Sequence, residues 1–250
     1  MKNKLLYVLI FMTFANQAMS QIEKKNEGWA LLPHLSFSFQ QPGGDLANRF
    51  GASNAVGGGV DFLTEKNNII LGVEGNYIFG TTVKEDVLAW LRDADGAIIG
   101  NAQSQTSVVL RERGFYLGGV VGKLFSVLPQ NPRSGIRATI GVGVLQHRIR
   151  LQDDNSSVQQ ISGNNSKGYD RLSNGIAFNG FIGYQHLAKN RRFNMTAGVE
   201  FTQGFTQNRR GFNYDTQMAD TQKRKDSLVG FKVAWTLPFY IGENAEQIFY

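Results

Sequence analysis

The sequence predicts an all-β protein, an eight-stranded antiparallel transmembrane β-barrel with short periplasmic turns and long extracellular loops. Three observations carry that prediction. An export signal opens the chain. The rest alternates apolar and polar residues in short runs and has no long apolar helix. Short connections alternate with long polar ones.

The export signal comes first. Lys2 and Lys4 form a cationic start, Leu5 to Phe14 an apolar run, and Ala18 and Ser20 the small residues of a cleavage site before Gln21. A spanning helix needs about 20 apolar residues, and this run meets Asn16 and Gln17 before reaching that length. Residues 1–20 are therefore expected to be a cleaved signal peptide. Residues 21–27 follow as a short periplasmic segment, 28–240 as the barrel and 241–250 as a periplasmic tail. The sequence has no cysteine, which excludes a lipid anchor at the cleavage point, disulfides and any cysteine nucleophile or metal site. Removing Lys2 and Lys4 lowers the net charge from +6 to +4, and the basic residues are scattered, so nucleic acid is not an expected partner. Mean hydropathy is slightly negative, as expected when strands show alternate residues to lipid and to a polar lumen.

Each strand repeats this alternation. In the first, Trp29, Leu31, Leu35, Phe37 and Phe39 face one way and His34, Ser36 and Ser38 the other. The second sets Val56, Val60 and Phe62 against Gly57, Gly59 and Asp61. The third sets Ile69, Leu71, Val73, Tyr77 and Phe79 against Gly72, Glu74 and Asn76. The fourth, from about Ser107 to Val127, carries Phe115, Leu117, Val121 and Phe125 outward and Glu112, Gly114, Gly118 and Gly122 inward. The fifth alternates Ile136, Ala138, Ile140, Val142 and Val144 with Arg137, Thr139, Gly141 and Gly143. The sixth sets Ile176, Phe178, Ile182 and Tyr184 against Asn179 and Gly183. The seventh sets Phe193, Met195, Ala197, Val199, Phe201 and Phe205 against Asn194, Thr196, Gly198, Glu200 and Thr202. The eighth, Val229 to Tyr240, sets Val229, Phe231, Val233, Trp235, Leu237 and Phe239 against Gly230, Lys232 and Thr236.

Connections after strands two, four and six are short. Those after strands one, three, five and seven are long: Gln40 to Ala55, Gly80 to Thr106, Leu151 to Leu172 and Gln207 to Asp226. None carries a repeat, so none is expected to be a separate domain. A soluble barrel would invert the arrangement, with the apolar faces inside. The export signal and the loop alternation favour the membrane version. On these residues the chain resembles the small eight-stranded outer-membrane barrels, the OmpA/OmpX/OmpW-like group in its Bacteroidota type. Gly230 to Tyr240 is similar to the C-terminal signal read by the barrel-assembly machinery, although here ten residues follow it. The resemblance implies outer-membrane location in a Gram-negative bacterium and no shared activity.

Candidate chemistry is sparse. His34, His147 and His186 fall at different heights and cannot converge on a metal. No outward serine stands beside an acid and His147, so a lipid A-modifying enzyme is kept only as an alternative to a non-enzymatic role, and no cofactor is expected. Inward charges say more. Asp61, Glu74, Glu112, Arg137, Glu200 and Lys232 are expected to form an ion-pair network that plugs a lumen only wide enough for side chains. A narrow channel for small or hydrophobic solutes is the alternative, and it needs a wider lumen. Counting along the fourth and fifth strands places Arg111 and Arg113 beside Arg148 and Arg150 on the lipid-facing side of the external rim. There they would meet lipopolysaccharide phosphates or serve as solvated rim. The apolar end Ile248, Phe249 and Tyr250 is read either as a partner-binding tail or as a disordered end. The expected function is a structural or accessory subunit of an outer-membrane assembly, with outer-membrane lipids and other outer-membrane or periplasmic proteins as the expected partners.

Overall fold

The computed structural model describes residues 28–189 and 193–241. The expected signal peptide, most of the expected tail and its end, Ile248, Phe249 and Tyr250, lie outside the described residues.

Long strands dominate: β1 (Trp29–Gly44), β2 (Ser53–Leu63) and β3 (Ile69–Gly80) come first. Two short strands, β4 (Ile98–Ile99) and β5 (Gln105–Thr106), pair with each other inside a loop. Then follow β6 (Val109–Ser126), β7 (Gly135–Gln152), β8 (Ser173–Leu187), β9 (Asn194–Asn208), β10 (Lys223–Thr236) and β11 (Phe239–Ile241). The eight long strands pair antiparallel with their sequence neighbours, and β1 pairs back with β10, from His34 opposite Thr236 to Gly44 opposite Asp226. That seam closes the sheet into a ring. Closure satisfies every strand edge internally, which a sheet in hydrocarbon requires.

The outward positions read from the sequence are those exposed, including Leu35, Phe37, Val73, Ile140, Ile182 and Phe231. So much contiguous apolar surface is incompatible with water and is matched by bilayer hydrocarbon. Aromatic rings mark the short-turn end, where Trp29 stacks on Phe62 at 5.0 Å between centroids.

Three expectations need correction. The connection expected over Gln40 to Ala55 shrinks to 45–52, because Gln40 to Gly44 stay hydrogen-bonded to Gly230 through Asp226 and Ser53 already belongs to β2. Likewise β9 and β10 run on to Asn208 and from Lys223. Polar residues at these strand tips look like loop in sequence, yet the ladders continue past the hydrocarbon. The closing strand is not continuous to Tyr240. It stops at Thr236, and after Pro238, which has no N–H to donate, β11 pairs with Trp29 to Leu31 and reaches Ile241.

The interior differs from the exterior for a steric reason. A Cβ on Gly122, Gly143, Gly183 or Gly198 would lie within 3 Å of backbone on the neighbouring strand, so the inward glycines permit the close approach of a narrow barrel wall.

Candidate functional site

From the short-turn end upward, the lumen is filled in three layers. The lowest is apolar. Ala30, Leu32, Leu63, Ile70, Leu124 and Leu187 are buried together, with Tyr240 packed against them. Beneath them the buried Arg133 guanidinium donates to the Thr64 carbonyl at 2.8 Å, to Asn68 Oδ1 at 2.9 Å and to the Gly28 carbonyl. One side chain from the turn after β6 thus pins the first turn and the start of β1. Burial pushes the Arg133 pKa down, with Tyr240 and Glu65 opposing.

The middle layer is ionic. Arg137 donates to Asp61 at 2.8 Å and to Gln185 at 3.1 Å, and His34 Nδ1 lies 3.4 Å from Asp61. Lys232 Nζ lies 2.9 Å from Glu74 across the lumen and 3.5 Å from Glu200 on the adjacent β9. Gln40 donates to the other Glu200 oxygen at 2.7 Å. All these charges are buried, where each survives only in company. About 20 Å³ of open space remains between His34, Glu74, Arg137 and Lys232, no more than a water molecule needs.

Five of the six residues expected in the network therefore meet, as an Asp61–Arg137 pair and a Glu74–Lys232–Glu200 triad. Glu112 does not join them. It is buried beside Ser53 and Arg113 at the long-loop end, whereas Arg137 is registered with Leu124, far along the same strand. Sequence phase gave the side it faces but not its height.

The upper layer is apolar again. Phe50, Ala55, Ile78, Tyr116, Leu145 and Ile149 pack with Leu46, Val87, Leu88, Ile98, Val158, Ile161 and Tyr169 from the loops. Into this layer His147 is set, its Nε2 2.8 Å from Asp226 and its ring edge-on to Phe50.

Above it the loops are tied by charge. Arg49 and Arg171 each donate to Glu85 at 2.7 Å, and Arg171 also donates to Asp215. These four residues come one each from connections 45–52, 81–108, 153–172 and 209–222, so a single clasp joins all four loops. Arg210–Asp170 and Arg224–Asp220 reinforce it. Sequence reasoning missed the clasp. Its members lie in aperiodic segments far apart in the chain, and the only local hint was arginine and acid together in every long loop.

Burial pushes the Glu85 carboxyl up, but Arg49 and Arg171 outweigh burial and hold it below its ordinary 4.5. A carboxylate depressed in the folded state lends stability above its unfolded value and loses it as pH falls through the folded one. Below about pH 4.5 the loops should therefore loosen before the barrel. Hydrogen exchange, corrected for intrinsic rates, should show loop amides losing protection while strand amides keep theirs. Equal loop protection at pH 6 and pH 3 would show that Glu85 does not hold the clasp.

On the outer wall Arg111 is registered opposite Arg150 and Arg113 opposite Arg148. All four side chains take the outward phase, with Arg148 and Arg150 exposed and Arg111 and Arg113 half-buried. Arg111 bonds Gln152 at 2.7 Å and Arg113 the Glu112 carbonyl at 2.6 Å. Arg148 and Arg150 have no hydrogen-bond or ion-pair partner among the described residues. The guanidinium donors of Arg148 and Arg150 thus face outward with no partner among the described residues.

The described part of this chain is a closed β-barrel with a lipid-facing apolar belt. No family model matches the chain, and no curated protein sequence does. Solved structures similar to it include these two. One is Ail, the attachment invasion locus protein of Yersinia pestis, in complex with the heparin analogue sucrose octasulfate; it is 9% identical, with 85% of this chain and 99% of that chain covered and a TM-score of 0.37. The other is a deltaS2S3 mutant of the monoaromatic hydrocarbon channel TodX, also 9% identical, with 85% and 91% covered and a TM-score of 0.26.

Proposed function

We propose that this protein is a non-enzymatic outer-membrane barrel of a Gram-negative bacterium, with its lumen closed, serving as a structural or accessory subunit of an outer-membrane assembly. Its short turns face the periplasm and its clasped loops the exterior. Residues 1–20 are removed on export, and 242–250 remain as a periplasmic tail whose Ile248, Phe249 and Tyr250 can dock on a partner. The grouping with OmpA/OmpX/OmpW-like barrels belongs to the same proposal. The observation that carries the reading is the stacked filling of the lumen. Two apolar plugs enclose a layer of paired charges, so transport through the middle would require dismantling buried ion pairs.

The barrel's lipid partner in this reading is lipopolysaccharide, whose phosphates Arg111, Arg113, Arg148 and Arg150 engage in bidentate fashion. The outward apolar wall bears neither His34 nor His147, both of which point into the lumen, which supports a passive role toward these lipids.

Cell fractionation should place the protein in the outer membrane, migrating faster on gels when unboiled than when boiled. Recovery in the soluble periplasm would sink the location. In planar bilayers the purified barrel should show no stepwise conductance, and regular unitary steps would replace the closed-lumen reading with a narrow channel. Mild-detergent purification of tagged protein should bring down a stoichiometric outer-membrane partner. An unchanged lipid A mass spectrum is expected in a deletion strain.

A further inference from the structure

Glycine on the lipid face of this barrel falls into two kinds. Gly58 is forced, since a Cβ there would lie 2.7 Å from the His34 carbonyl oxygen. Gly119 and Gly180 are not. A Cβ on Gly119 would meet only the Gly72 carbonyl oxygen at 3.9 Å, and one on Gly180 would meet nothing within 4 Å. Neither has a positive φ. Glycine weakens a strand, and an apolar side chain would pack better against hydrocarbon. Backbone and packing therefore give no reason for glycine at either site, so the space it leaves is the feature to explain.

That space is two adjoining shallow apolar hollows, one at Gly180 across β6 to β9 and reaching Phe201, the other at Gly119 across β3, β6, β7 and β8 with Leu71, Val142 and Phe178. They share Val121 and Ile140, and Ile140, 69% exposed and registered between Val121 and Gly180, is the ridge between the two halves of one interrupted depression. The strands that carry its centre also carry the arginine ladder. Gly119 follows Arg113 on β6 by six residues, about 20 Å along a strand. At a tilt near 45° this is roughly 14 Å of depth, about one leaflet of a ~30 Å hydrocarbon core. It is also a similar displacement around the barrel, so one ligand reaching both places must be broad.

We infer that the depression seats acyl chains of the same phosphorylated, multiply acylated glycolipid whose phosphates the four arginines hold, so that ladder and depression form one lipid A site. This rests on the lipopolysaccharide reading above and adds the acyl-chain half of the site. Charge argues for this occupant. A second copy of the chain would bring its own ladder, and four more arginines, toward the first, whereas a bisphosphorylated lipid neutralises the ladder as its chains fill the depression.

The test uses full-length protein refolded in detergent from inclusion bodies, with bisphosphorylated hexa-acyl lipid A and the matching deacylated glucosamine bisphosphate as probes. Gly119→Leu with Gly180→Leu should fold, as shown by heat-modifiable migration, because the added atoms enter open space. It should bind lipid A roughly tenfold more weakly than the parent and leave the deacylated probe unaffected. Gly75→Leu, outward on β3 and also sterically tolerated with Leu117 at 3.5 Å, should bind lipid A like the parent. Parent-level lipid A binding by the double variant would overturn the inference, as would an equal loss in Gly75→Leu. A parent dimer abolished by the double variant would overturn it too, assigning the depression to a second copy. Replacing all four arginines with glutamine should weaken both probes. If it weakens neither, the phosphate reading fails, whatever the glycine variants do.

Discussion

Replacing Lys232 with methionine is expected to lower resistance to urea by about 3 to 5 kcal/mol, the magnitude for a buried charge stripped of its partner. The substitution keeps the length of the side chain and removes the ammonium between Glu74 and Glu200. Two carboxylates then face each other with Gln40 alone donating to one of them. Relief should come in steps. Glu74→Gln beside Lys232→Met should recover more than Glu200→Gln, because Glu74 is the nearer partner at 2.9 Å against 3.5 Å. The triple variant should approach the parent. Urea unfolding in detergent micelles, followed by tryptophan fluorescence, provides the measurement. If single and triple variants unfold at the same midpoint, these side chains do not interact.

Arg171→Gln should produce a loss of similar size, about 3 kcal/mol or more, but confined to the loops. It cuts the links to Glu85 and Asp215 together while Arg49 still holds Glu85. Trypsin should then cleave at exposed loop sites such as Lys84 and Lys167 far faster than in the parent, while the unboiled barrel keeps its fast migration. Arg171→Lys should rescue only in part, because an ammonium lacks the planar fork that serves two carboxylates at once. Parent-like protease resistance in Arg171→Gln would show that the loops are held by their apolar packing alone. A collapse of the whole barrel would place Arg171 in the global fold.

The sequence made some of this legible and hid the rest for identifiable reasons. Strand phase was readable because the period of two places Phe37, Val73, Ile140 and Phe231 on one wall whatever the tertiary detail. Register between β6 and β7 followed from their short connection, which is why Arg111 falls opposite Arg150. Height in the lumen was not readable. Phase assigns Glu112 and Arg137 to one interior without saying that they sit at opposite ends of it. The apolar plugs were hidden too. Leu32, Leu63, Ile70 and Leu124 occupy inward positions, and an apolar residue among outward-facing apolar neighbours reads as part of a continuous run. The clasp through Arg49, Glu85, Arg171 and Asp215 depends on contacts across most of the chain, and no local period reports such contacts.

The seam between β1 and β10 bears on how the molecule comes into being. Its two sides are the first and last long strands, so until Lys223 to Thr236 have been synthesised the outer edge of β1 from His34 to Gly44 has no mate, while β2 pairs only its other edge. A partial chain in hydrocarbon would expose two rows of unsatisfied amides and carbonyls, which a bilayer does not tolerate. Strand-by-strand insertion during translation is therefore closed to this sequence. A bilayer can take up this chain as a barrel only when both ends of the ring are at hand.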